Sequence, residues 1–198
     1  MPVYSPRFLS AVKFVLEHET VFEHGHYMDW NHVVTEYDPK DKGGATRYGI
    51  DQRSHPDVDV ASLTKEAAID IYYHAYWLPS RAEQMPVGIG EVLFDIRVNG
   101  GYGARWLQEA LKHTGHDIVV DGIIGPKTIT AALVGGRAAI ISLCDRRVQY
   151  WQAVVEANPA QARYLDGWKQ RGEDLESYAL TLWGKSENRA LAEDWMMS

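Results

Sequence analysis

Apolar residues near the start of the chain recur at helical intervals. Phe8, Val12, Val15 and Leu16 share one side, which predicts a helix over residues 6–19. From about 24 to 46 the text HGHYMDWNHVVTEYDPKDKGGAT holds no sustained period and reads as a long loop with a short β excursion, a kind of segment that often carries function. Helical character returns at Thr64. TKEAAIDIYYHAYW has a capping residue, an acidic first turn, and Ile69, Tyr72, Tyr73, Tyr76 and Trp77 along one side until Pro79 stops it. Helices are further predicted over 86–98, ending at Gly100-Gly101, and over 103–113, ending near Gly115. HDIVVDGIIGPKTITAAL then reads as a short extended piece, an Asp-Gly turn, and a helix with Pro126 at its first position and Gly135-Gly136 at its close. Two more helices, about 137–157 and 160–183, complete a mainly α chain without a fixed-period repeat.

A length of 198 residues with 45% apolar content suits one compact unit with a substantial core. The formal charge of −7 offers no basic footprint for nucleic acid or an anionic membrane surface. A lone cysteine, Cys144 in AAIISLCDRR, excludes an internal disulfide and reads as an inert helix residue. No run of apolar residues long enough for a membrane span stands out, and MPVYSPRFLSAVKFVLEHE lacks the marks of a secretory leader. The expectation is a chain made in the cytoplasm that acts elsewhere only if something else lets it out.

The stretch LEHETVFEH, residues 16–24, gathers three carboxylates and two imidazoles. A zincin helix needs H-E-x-x-H, but the residue four after His18 is Phe22, so that motif fails. His24, His26 and His32 form a loose cluster whose spacing fits ligation without specifying it; hydrogen-bonded or exposed histidines explain it as well, and no functional metal is expected. The carboxylates separate by direction. At about 100° per residue, Phe8, Val12, Val15 and Glu19 fall within about 60° of one another, whereas Glu17 points to the opposite side. A carboxyl withdrawn from water on an apolar stripe stays protonated more readily, as a general acid must. The competing reading is a helix that has already ended, leaving Glu19 solvated.

Glu19 at a helix end followed by DPKDKGGATRYGI (38–50) resembles the glycoside hydrolase family 108 muramidases, lysozyme-like peptidoglycan hydrolases that include many phage endolysins. The likeness extends through YYHAYW (72–77) and LFDIRVNGG (93–101). It continues through WLQEAL (106–111), VDGIIGPKT (120–128) and YLDGWKQR (164–171), which resemble the family's C-terminal peptidoglycan-binding segment. The family's Glu-Gly-Gly-Tyr stands here as Glu19-Thr20-Val21-Phe22, and the gap to the Gly pair is long, so Glu23 in EHGHY is the alternative acid.

The resemblance implies a lysozyme-like helical domain with a small β-hairpin region lining the cleft. Residues 1–100 would form the catalytic region, 101–183 a helical segment packed into the same unit, and 184–198 a tail. It implies N-acetylmuramidase (lysozyme) chemistry without cofactor or metal. Glu19 would protonate the leaving oxygen, and Asp41, before Gly43-Gly44, would face it with Thr46 holding a water. Tyr48 and Asn99 would line the cleft and bind substrate, with Asp95 and Arg97 orienting neighbours; Asp95 reads equally as a salt-bridge partner and Asn99 as a helix cap. DGIIGPKT serves as a structural corner or as a wall contact. The implied partner is bacterial peptidoglycan, met by a monomer released through a holin or an export system. Two other readings are a catalytically silent wall-binding or structural protein of a phage or secretion apparatus, and a metal-dependent amidase using the His cluster.

Overall fold

The computed structural model describes residues 3–19, 35–37 and 44–197, with the backbone alone at 19, 36–37 and 188–197. The described residues are mainly α, with a small antiparallel sheet. They divide into two compact units, Met1–Tyr76 and Trp77–Ser198. The division falls earlier than the 100/101 boundary expected from sequence, because the helix ending at Asn99 packs on helices that come later in the chain.

The first unit opens with helix α1, Pro6–Glu19. Ser5 Oγ caps it by accepting the Phe8 N–H at 3.2 Å. Phe8, Val12, Val15 and Leu16 are each no more than 2% exposed, so the predicted stripe is the buried one. Each such side chain contributes about 1.5–3 kcal/mol of burial. Phe8 meets the rings of Tyr4 and Tyr73 edge-on, with centroids 5.2 and 5.0 Å away. Three short strands follow, β1 (Glu36–Tyr37), β2 (Ala45–Arg47) and β3 (Ile50–Asp51), antiparallel in that order. The third strand was not foreseen. Helix α2, Lys65–Ile71, is capped as expected by Thr64, whose side chain accepts from the Ala67 N–H. It does not continue to Pro79 as a regular helix. Tyr72–Trp77 is a π-helical turn, and the wider i→i+5 closure leaves both Tyr72 and Trp77 buried.

The second unit is built on α3, Ile89–Asn99, with every residue from Ile89 to Ile96 buried. A helix buried all round must satisfy its polar members internally. Glu91 does so by accepting the Gly88 N–H at 2.7 Å. Helices α4 (Gly103–His113), α5 (Pro126–Ala157) and α6 (Leu165–Met197) surround it. The stretch 114–125, expected to include an extended piece, forms no strand. Pro126 starts α5 as foreseen, and Gly136, at φ 43° and ψ −129°, breaks it where only glycine is comfortable. A 3₁₀ segment, Pro159–Tyr164, precedes α6, and 184–197, expected as a tail, continues that helix.

The sequence reading saw no membrane-length apolar run, yet α5 contains an 18-residue window of mean hydropathy 1.3. Its break at Gly136 and its buried Ala139, Ile140, Leu143 and Cys144 are those of a core helix in this unit. Burial pushes the Cys144 thiol up to about 12, consistent with an inert core residue.

Candidate active site

Position 19 is the last residue of α1, one turn beyond Val15 on the row that begins at Phe8 and Val12. Glu17 lies off that row, half-exposed and 3.6 Å from Lys13 one turn earlier, as its direction predicts. Glu23, Asp41 and the His24, His26 and His32 cluster lie outside the described residues.

Thr46 occupies the centre of the sheet. Its Cα partners are Glu36 on β1 and Asp51 on β3, so the middle strand sets a hydroxyl between two acidic positions. Asp51 is already committed: its Oδ1 accepts the Ser54 N–H at 2.9 Å and closes the loop after β3. Burial raises its carboxyl, but the hydrogen bonds with Ser54 outweigh that effect and hold it below its ordinary value.

Tyr48 departs from its expected role. Arg47 and Ile50 pair across a two-residue turn in which Tyr48 and Gly49 have φ of 53° and 70°, the pattern of a type I′ hairpin. Tyr48 is only 6% exposed, and its carbonyl accepts the Tyr72 hydroxyl at 2.9 Å. Tyr48 therefore shapes the hairpin and offers little ring surface to a sugar. The Arg47 guanidinium, 5.5 Å from the Tyr48 centroid, donates to Thr35 Oγ1 at 2.9 Å and braces the same turn.

In the second unit Asp95 also takes another place than a substrate contact. It is 1% exposed, and its two oxygens meet Arg147 on α5 and Arg171 on α6, each at 2.7 Å. With both oxygens engaged below the surface, this carboxylate joins three helices. The Arg147 guanidinium also lies 4.6 Å over the Trp151 ring; burial lowers its pKa from the ordinary value while Asp95 opposes that shift. Asn99 Nδ2 turns back to the Asp95 carbonyl at 3.1 Å, the helix-end reading of that residue. Arg97 is exposed. Trp77 is fully buried with its Nε1–H donating to Glu83 at 2.9 Å, a core role as its spacing foretold.

The DGIIGPKT block is a corner held from inside by a residue that sequence reading did not single out. Buried Gln108 on α4 donates to Asp121 Oδ1 and the Ile123 carbonyl at 2.8 and 3.0 Å, and accepts the Gly122 N–H at 2.7 Å. Gln108 and Arg171 were both inside quoted motif blocks. For Gln108 the available signal was a polar residue in the apolar run WLQEAL, whereas Arg171 stands among Lys169, Gln170 and Glu173 and nothing local sets it apart.

The family matches divide the chain at 101/102, later than the packing division at 76/77. Residues 13–101 match the family described as Glycosyl hydrolase 108, and residues 102–173 match the Predicted Peptidoglycan domain. Residues 13–101 thus carry a glycosyl hydrolase family 108 segment, with the second family's domain following directly. It is similar to the solved structure of Brucella abortus SagA at 26% identity and a TM-score of 0.67, over 89% of this chain and 95% of that one. No curated protein matches the sequence. The pair of families makes this a glycoside hydrolase directed at peptidoglycan.

Proposed function

We propose that the chain is an N-acetylmuramidase that cuts the β-1,4 bond between N-acetylmuramic acid and N-acetylglucosamine, in the service of bacterial lysis. The observation that carries this reading is the family match over 13–101, which encloses Glu19, Asp41 and Thr46, together with Glu19 ending α1 in register with its buried row. Glu19 gives its proton to the glycosidic oxygen as the bond breaks. The charge that develops on the sugar ring is met by Asp41, and Thr46 at the centre of β2 positions the water that completes hydrolysis. Neither step calls for a metal. Purified peptidoglycan digested by the protein should yield fragments with N-acetylmuramic acid at the new reducing end by mass spectrometry. Reducing N-acetylglucosamine ends would reassign the bond, and fragments freed only at peptide or amide bonds would replace the reaction class.

A further inference from the structure

The second unit carries a surface pocket of about 250 Å³ where α3 gives way to α4. Leu93, Ile96 and Ile124 line it with apolar surface, and Arg97, Tyr102 and Arg105 supply its polar wall. Its rim is closely built. Gly101 has φ 143°, and a Cβ there would lie 2.8 Å from the Trp106 ring and 2.9 Å from Ile96, so the chain turns over these side chains only with glycine. Tyr102 is 62% exposed, yet its ring is backed edge-on by Trp106 and Tyr150 at centroid distances of 6.1 and 6.3 Å. An aromatic ring held from behind and open in front is a platform for the apolar face of a sugar or a peptide side chain.

The charges decide what such a pocket accepts. The chain carries a formal −7, but this pocket presents two guanidinium groups and no lining carboxylate. Among the described residues neither Arg97 nor Arg105 is in a salt bridge. The acid nearest Arg105, Asp121, interacts with it through space and spends its Oδ1 on Gln108 and the Ile123 N–H at 2.8 Å each, which leaves Arg97, among the described residues, the pocket's unneutralised guanidinium and Arg105 partly balanced. Arg105 lies over Gly122, where a Cβ would come within 3.1 Å of its Cγ, so its stem rests on the DGIIGPKT corner. Two cationic forks above an apolar floor match a planar carboxylate bidentately. Peptidoglycan offers that group on its stem peptides, next to its amino sugars.

We propose that Arg97, Arg105 and Tyr102 form a binding site for a carboxylate-bearing stem-peptide portion of peptidoglycan. This rests on the wall being the substrate but not on which glycosidic bond is cut. The site lies across residues 101–102, where the two family matches meet, and it draws residues from both. It makes recognition of the peptide a property of the junction rather than of either segment.

The test uses the whole protein and three soluble probes: a disaccharide tetrapeptide from the wall, the same fragment with its carboxylates amidated, and the peptide-free disaccharide with its lactyl carboxylate amidated. Calorimetry should show the first bound about tenfold more tightly than the other two, the scale of a charge-assisted bidentate contact. R97Q/R105Q should remove that preference, and Tyr102→Ala should weaken all three probes. K112Q/K185Q, an equal charge change at exposed positions outside the pocket, should retain the preference. Equal affinity for the three probes, or a preference that survives in R97Q/R105Q, overturns the proposal. Thermal unfolding of each variant verifies that loss of binding is not loss of fold. Reducing ends released from intact wall by the parent protein report on the hydrolase reading separately: ends without discrimination remove this site and keep the enzyme, and discrimination without ends does the reverse.

Discussion

Asp95 stands against Arg147 and Arg171 with almost no exposure, so its neutralisation removes a negative charge held against two buried cations. Asp95→Asn should lower unfolding free energy by about 3–5 kcal/mol, the range for breaking a buried pair from one side. A denaturant midpoint unchanged from the parent would show that solvent reaches these guanidinium groups. Glu19 and Glu17 make the complementary test on α1. Glu19→Gln keeps shape and hydrogen bonding but has no proton to give, so wall hydrolysis should fall by a factor on the order of 10² while the fold is kept. Glu17→Gln loses an exposed pair with Lys13 worth roughly 0.3 kcal/mol and should leave hydrolysis as it is. An active Glu19→Gln beside a dead Glu23→Gln would move the acid four residues along the chain.

Among the elements, the corner between α4 and α5 depends on one side chain. Gln108→Ala strips partners from the Gly122 N–H and from Asp121, and should cost about 1–3 kcal/mol, read as a fall in melting temperature. The same corner has a signed response to acid. The Ile123 N–H and the Gln108 amide hold the Asp121 carboxyl below its ordinary value. Its stabilising share is therefore complete above the unfolded carboxyl pKa and is lost as pH falls through the lower folded one. In Gln108→Ala that acid-sensitive share should shrink, and an acid unfolding limb identical to the parent's would count against the corner's role.

For the whole molecule, family boundaries and packing boundaries differ. The glycosyl hydrolase match stops at 101, whereas α3 lies inside the unit Trp77–Ser198 and finds its counter-charges on α5 and α6. A chain ended after Gly101 should lack a cooperative thermal transition by circular dichroism; a sharp transition would show that α3 needs none of the later helices. The chemistry proposed for the whole protein runs on carboxylates, so excess chelator should leave turbidity clearance of a wall suspension unchanged. A loss restored by zinc would direct attention to His24, His26 and His32.

Local periodicity was enough to locate α1, α4 and the start of α5, because caps, Pro126 and the 3.6-residue repeat act within a few residues of where they are written. The row that includes position 19 and the opposite course of Glu17 were legible for the same reason, and the ordered motif blocks identified the family. Other features depended on partners far away in sequence. For Asp95 a site role and a salt-bridge role stay equal in the sequence until Arg171, 76 positions later, meets it inside the core. Tyr48 reads as a cleft residue until the register of Arg47 with Ile50 makes it the turn. Burial and counter-charge are properties of the assembled helices and strands, and no short window of the chain contains both members of such a pair.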